Sequence, residues 1–384
     1  MKIGIDARPL TVQNFTGIPN YVYQICIKWM EKHPEHEFYL MARRPICFKQ
    51  EELPDNWHIV DDPWIIDKGK FWFLFKLPSL IKQHKLDVFW GPNYTLPRKV
   101  KGPKYFLSIM DMAIFKFKHV GQWKNSLQIK LFLKKNAKKS ERIIVISEST
   151  KRDVVDILKV PSHIVDVTYI AGDTKKASDI NKNVDNNNQA ITVCNSIRPE
   201  LTSLGQYFLF IGTIEPRKNI ITIIDGFEKY CEKTGNTEVK LVLAGGRGWN
   251  CDNIYSRVKN SRFTKQIIMP GFVSDFEKEY LYKNARAFVY PSLYEGFGMP
   301  ILEAFKYETP VITARNSSLP EVGKDAAYYI ETYDSEELCN LLDKVTNQSE
   351  EELCEIKRLM KAQLESFSWD KCAEETLEII TNKE

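Results

Sequence analysis

Residues 288–312 read FVYPSLYEGFGMPILEAFKYETPVI. Phe288-Val289-Tyr290 is a short apolar run of the kind that makes a buried strand. Pro291 and Ser292 turn the chain, and Glu295, Gly296 and Gly298 follow. Pro300 then opens an apolar segment carrying Glu303, at the first-turn position where proline is tolerated. Pro310-Val311-Ile312 is a second strand-like run. The stretch predicts strand, glycine loop, helix and strand, with one carboxylate in the loop and one in the first turn of the helix. Glycines at 296 and 298 let backbone approach a ligand closely. A helix N-terminus behind them offers unpaired N–H groups and a positive dipole end to a phosphate. Glu295 and Glu303 could then grip two different hydroxyl-bearing parts of one ligand. Taken singly, either glutamate is more simply a solvated residue of a βα turn.

The rest of the chain repeats this alternation. Lys2–Asp6, Phe38–Met41, Asp87–Trp90, Tyr105–Ile109 and Arg142–Ile146 are short apolar runs, and Asn20–Glu31 has a helical apolar stripe. After residue 207 come runs at Phe208–Gly212, Lys240–Ala244, Gln266–Met269, Ala287–Tyr290 and Val311–Thr313, with helical patterns between them such as Ile220–Thr234. Ser335–Leu342, Ser349–Ser366 and a segment ending near Ile380 read as the closing helices. Short runs alternating with helices imply βαβ crossovers and parallel sheets. Residues 173–206 break the pattern, being polar and asparagine-rich, and read as a linker or a long mobile loop.

At 384 residues the chain exceeds the size at which a single core stops growing, so two domains are expected. A net charge of +4 argues against a dedicated nucleic-acid binder. Eight scattered cysteines without a C-x-x-C pair read as free thiols of a reducing compartment. A strand beginning at residue 2 and the lack of an apolar run of ~18 residues add to the expectation of a cytoplasmic protein.

The segment EGFGMPILE, from Glu295 to Glu303, resembles the E-x7-E signature of family 4 retaining glycosyltransferases, which have the GT-B fold. Further segments fall in the order that family uses: MKIGID at 1–6, Gly17-Ile18-Pro19-Asn20-Tyr21, ERIIVISESTKR at 141–152, Phe210-Ile211-Gly212, Glu215-Pro216-Arg217-Lys218-Asn219, LVLAGG at 241–246 and Gly271-Phe272-Val273. The resemblance implies an α/β architecture of two doubly wound Rossmann-like domains facing a cleft. An N-terminal acceptor-side domain would span 1–190 and a donor domain 191–366, with a C-terminal helix, 367–384, packing back on the first. It implies transfer of a hexose, mannose as the first guess, from a nucleoside diphosphate sugar such as GDP-mannose to a glycan or lipid-linked glycan in polysaccharide biosynthesis.

On that resemblance Arg217 and Lys218 would stabilise the departing diphosphate, Glu295 would bind the donor sugar and Glu303 the ribose hydroxyls. Arginine grips phosphate oxygens in a bidentate way and lysine acts as a compact point charge. Gly212, Gly296, Phe297, Gly298 and Met299 would line the donor, and Gly17 would approach its pyrophosphate unless it is a plain turn residue. Backbone near Gly271–Asp275 would meet the base. No D-x-D motif stands out, and neither a metal nor a cofactor is expected. Family members often carry a histidine before an aspartate in the first domain; here the segment is Ser108-Ile109-Met110-Asp111-Met112. Asp111 is either an acceptor-side catalytic group or a cap. Replacing Glu295 or Lys218 by alanine is expected to abolish transfer without unfolding the protein.

Residues 113–142 are strongly basic, with Phe115, Phe117, Trp123, Leu131 and Phe132 interleaved among the lysines. Such a stretch is either a solvated helix over a packed face or a peripheral contact with the inner, anionic face of the cytoplasmic membrane. A function from another class, a non-catalytic GT-B-like subunit scaffolding a partner enzyme, remains the alternative to transfer.

Overall fold

The computed structural model describes residues 1–12, 17–61, 71–117, 123–172 and 197–382. It comprises two compact units, Met1–Ala171 with Phe367–Glu384, and Gly172–Ser366. The position expected for the domain boundary, 190/191, lies outside the described residues.

The first unit is built on strands β1 (Lys2–Asp6), β2 (Glu37–Ala42), β3 (Trp57–Asp61), β4 (Val88–Gly91), β5 (Lys104–Ile109), β6 (Arg142–Val145) and β7 (Val165–Val167). They pair in parallel in the order β3-β2-β1-β4-β5-β6-β7. All four residues of β4 are buried, as expected where helices cover both faces of a parallel sheet. The strand order reverses between β1 and β4, the kind of position where open α/β sheets bind ligands.

The helix Trp369–Thr381 belongs to this unit. Its buried residues, Trp369, Cys372, Ala373, Thr376, Leu377 and Ile380, recur at three and four positions and form one stripe. Ser368 caps its start by accepting the Asp370 amide at 3.2 Å. Against the helix Ile18–Lys32, the Trp29 indole N–H donates to the Ala373 carbonyl at 2.8 Å and Lys32 pairs with Asp370 at 2.8 Å.

The second unit carries β8 (Tyr207–Ile211), β9 (Lys240–Ala244), β10 (Ile267–Gly271), β11 (Ala287–Tyr290), β12 (Val311–Ala314) and β13 (Tyr328–Ile330). These too are parallel, ordered β10-β9-β8-β11-β12-β13, with the reversal between β8 and β11. The fold class is α/β, with one doubly wound sheet in each unit.

Part of the segment read as a mobile excursion is ordered. Pro199–Thr202 is a short helix, and Leu201 and Leu204 are buried. Arg198 holds this segment down: its Nε donates to Glu277 Oε1 at 2.6 Å, and its Nη1 and Nη2 donate to the carbonyls of Pro270 and Phe272 at 2.9 and 3.0 Å. Residues 173–196 lie outside the described ones. Among the described residues no helix is long and apolar enough to cross a membrane, and seven cysteines are free thiols.

Candidate active site

The signature stretch folds as strand β11, a loop through 291–298, and the helix Met299–Lys306 leading to β12. The loop that follows β8 faces it across the reversal point, since β8 and β11 are hydrogen-bonded neighbours. In that loop Pro216–Lys218 make a 3-10 turn, and Asn219 takes a left-handed conformation (φ 57°) to start the helix Ile220–Thr234. The strand ends are drawn together by glycines. A Cβ on Gly245, after β9, would lie 1.8 Å from the Gly212 carbonyl oxygen, so only glycine fits there.

Four charged groups meet in this place. Lys218 Nζ donates to Glu295 Oε1 at 2.6 Å and Arg217 Nη1 lies 3.0 Å from Glu295 Oε2. Arg217 Nη2 pairs with Glu215 Oε1 at 2.7 Å. The Tyr290 hydroxyl donates to Glu295 Oε1 at 2.9 Å, and the Lys218 ammonium stands 4.8 Å from the Tyr290 ring centroid. Lys218 and Glu295 expose only 9% and 13% of their side chains, so the pairing is made largely out of water. Burial on its own would raise the Glu295 carboxyl, but Lys218 and Arg217 overcome it and hold the group at about 2. Burial pushes the Lys218 ammonium below its usual range against the pull of Glu295. Burial, with Glu295 adding to it, raises the Tyr290 hydroxyl well above a normal phenol.

Two cations and two carboxylates sum to a formal charge of zero. Any anionic ligand arriving here would have to compete with Glu295 for Arg217 and Lys218. Beside them, the side-chain Nδ2 of Asn219 is buried without an acceptor among the described residues, a condition that a bound ligand would relieve.

Glu303 is the fifth residue of its helix, in the second turn and not the first. Its Oε1 accepts from Lys278 Nζ at 3.1 Å and its Oε2 from the Tyr282 hydroxyl at 3.2 Å. Gly298 caps the helix at φ 119°, a conformation an L side chain rarely adopts. Gly296 and Met299 are partly exposed, whereas Phe297 is buried, so a ligand would reach Phe297 through its backbone.

Sequence reading missed the loop that holds this one in place. Ser317 Oγ accepts the Glu295 amide at 3.1 Å, and Ser318 Oγ donates to the carbonyls of Glu295 and Phe297 at 3.0 and 2.6 Å. Asn316 Nδ2 donates to the Ser292 carbonyl at 3.1 Å. The available signal was a run of small polar residues, Asn316-Ser317-Ser318, directly after a buried strand.

Residues 198–358 match the model of the family described as glycosyl transferases group 1. The chain is 28% identical over 299 residues to O-antigen chain mannosyltransferase B of Escherichia coli, covering 77% of this chain and 74% of that protein. It is 26% identical over 201 residues to O-antigen chain mannosyltransferase RfbU of Salmonella typhimurium, about half of either chain. The chain has the GT-B fold, and its match to group 1 glycosyl transferases over residues 198–358 supports a glycosyltransferase. Its backbone also matches HepE of Anabaena in complex with UDP and glucose, at TM-score 0.70 and 13% identity over 99% of both chains. WaaG, a glycosyltransferase involved in lipopolysaccharide biosynthesis, matches over the full length of both chains at TM-score 0.68 and 14% identity.

The remaining predicted residues of the glycosyltransferase lie in its first unit. Gly17 starts the helix Ile18–Lys32 at φ 60°, in the connection that follows β1. Asp111 follows β5, where its Oδ1 accepts the Ala113 amide at 2.8 Å and its own amide donates to the Tyr94 hydroxyl at 3.1 Å. The side-chain bond reaches the first residue of the short helix Ala113–Lys116 from the position before its N-cap, Met112. Met110, where family members often have histidine, is buried.

Proposed function

We propose that this glycosyltransferase is a retaining hexosyltransferase that moves mannose from GDP-mannose to a glycan or lipid-linked glycan in polysaccharide biosynthesis. The Arg217–Lys218–Glu295 cluster at the β8/β11 reversal carries the reading, and the O-antigen mannosyltransferases among the relatives support the sugar and the pathway class. In this reading the donor diphosphate displaces Glu295 from the two cations. The freed carboxylate then accepts hydrogen bonds from hydroxyls of the sugar, while Glu303 takes the ribose hydroxyls. The bond from the anomeric carbon to the diphosphate oxygen breaks, and Arg217 and Lys218 stabilise the charge that develops there without a metal ion. The acceptor hydroxyl attacks on the same face, and its proton passes to the departing phosphate oxygen.

Phe272 is the candidate base platform. It is 81% exposed just after β10, beside Gly271, whose carbonyl accepts the Gly245 amide at 2.8 Å. Thermal unfolding with GDP, UDP, dTDP and ADP tests both points. One nucleotide, GDP, is expected to stabilise by about 2.7 kcal/mol at a hundred times its dissociation constant. Phe272→Ala should weaken that nucleotide about five- to 150-fold, the worth of one stacked base. No stabilisation by any nucleotide would leave the scaffold reading standing.

The helix Trp123–Ala137 favours membrane contact over a merely solvated face. Leu133 and Ala137 are buried, yet Ile129, Leu131 and Phe132 are 40%, 63% and 46% exposed among Lys130, Lys134 and Lys135. We take this as the peripheral surface of a cytoplasmic enzyme at the inner face of the membrane. The double variant Leu131→Ser/Phe132→Ser is expected to lose co-flotation with phosphatidylglycerol vesicles while melting like the wild type. Undiminished co-flotation would rule this surface out.

A further inference from the structure

The helices Asp275–Asn284 and Met299–Lys306 leave the carboxyl ends of β10 and β11, the edge at which open α/β sheets bind their ligands. A capping box fixes the start of the first. Ser274 Oγ accepts the Glu277 amide at 3.3 Å, and Glu277 Oε2 accepts the Ser274 amide at 2.9 Å. Lys278 and Tyr282 stand four positions apart on that helix, hence on one face. Both reach Glu303 on the second helix. Lys278 Nζ donates to its Oε1 at 3.1 Å and the Tyr282 hydroxyl to its Oε2 at 3.2 Å.

The phenol is the fixed half of this clamp. Tyr282 is fully buried, its ring stacked on Tyr307 at 5.8 Å and set edge-on to Phe288 of β11 at 5.1 Å. Burial, with Glu303 adding to it, raises the hydroxyl well above a normal phenol, so it stays protonated and donates. Lys278 is the charged half. Its other carboxylate, Asp275, lies farther off at 4.0 Å and is 79% exposed, where water screens the pair. The Glu303 side chain is 20% exposed, so a ligand can reach it.

A carboxylate offers about four lone-pair sites on its two oxygens. Among the described residues Tyr282 and Lys278 are the donors to Glu303, one to each oxygen, which leaves one site on each. That is what two adjacent hydroxyls need. With both oxygens tethered, the carboxylate plane is set before the ligand arrives, and less side-chain freedom is lost on binding. Lys278 also cancels the charge of Glu303, which would otherwise repel a nucleotide that carries negative charge of its own.

We propose that Tyr282 and Lys278 are positioning residues that aim Glu303 at the 2′- and 3′-hydroxyls of the donor, so that the site selects ribose over deoxyribose. This rests on the reading of Glu303 as the residue that takes the ribose hydroxyls. The test is calorimetric titration of the full chain with GDP and 2′-deoxy-GDP. The ratio of the two dissociation constants is the readout, because a loosened helix or an altered charge weakens both nucleotides alike. The wild type is expected to prefer GDP about tenfold, the worth of one hydrogen bond to a charged group. Glu303→Ala should abolish that preference, and Tyr282→Phe and Lys278→Met should each remove most of it. A preference lost in Glu303→Ala but intact in the other two variants would keep Glu303 on the ribose and overturn the positioning role. A wild type that binds both nucleotides equally would overturn the ribose role of Glu303, and this inference with it. Binding of neither would sink the donor reading on which both depend. Should Tyr282→Phe fail to fold, Lys278→Met, at a part-exposed position, still decides.

Discussion

Lys218→Met is expected to lower the transfer rate about 10²–10³-fold, the usual cost of removing one group that stabilises charge in a transition state. The variant should remain folded. Methionine retains the apolar stem that lies near the Tyr290 ring, and Glu295 keeps Arg217 at 3.0 Å and the Tyr290 hydroxyl at 2.9 Å. No carboxylate is left stranded. What disappears is an ammonium that burial already disfavours, so the folded state gives up little. Arg217 is a poorer probe, because its Nη1 also donates to the Tyr294 carbonyl at 2.9 Å and any change there moves the loop. Steady-state kinetics with GDP-mannose would decide the matter. If Lys218 acts on the leaving diphosphate, kcat and kcat/KM should fall together. A wild-type kcat with a raised donor KM would instead make Lys218 a ground-state anchor.

The sequence exposed the interior of each sheet and hid three of the four edge strands. Central strands such as Ala287–Tyr290 and Lys240–Ala244 are continuous apolar runs because both their faces are covered. The three strands that went unread, β3, β7 and β13, all lie at the ends of their sheets. Val165–Val167 and Tyr328–Ile330 are three residues long, and Trp57–Asp61 is broken by His58, so none offers a legible period. Short, partly polar edge strands are how sheets avoid pairing with strangers. The site divides in the same way. Glu295, Arg217 and Lys218 were legible as chemistry that answers to a family pattern, and the fold brings their side chains together. Ser317 and Ser318 were not, since their role lies in hydrogen bonds to the backbone of a distant loop. Nor could sequence show that the cations are already engaged by Glu215 and Glu295, because a charge count carries no distances.

That engagement changes what Glu295 variants should do. Removing one partner of a buried pair costs about 3–5 kcal/mol, so Glu295→Ala, expected from sequence to leave folding intact, should destabilise the protein by that order. Glu295→Gln keeps the shape and isolates the charge. The folded carboxyl titrates at about 2 against 4.5 for a free one. Because the folded value is the lower, its stabilising effect is complete above pH 4.5 and is lost as the pH falls toward 2. A gap of that size corresponds to about 3 kcal/mol. Denaturant unfolding of the wild type and Glu295→Gln, followed from pH 7 downward, should show a stability difference that holds to about pH 5 and then shrinks by about 3 kcal/mol as pH 2 is approached. Other carboxylates titrate in both proteins and cancel in the comparison. A difference that stays constant across this range would mean that Glu295 is not the anion holding Arg217 and Lys218. The donor diphosphate would then have no carboxylate to displace, and the exchange on which the proposed chemistry depends would fail with it.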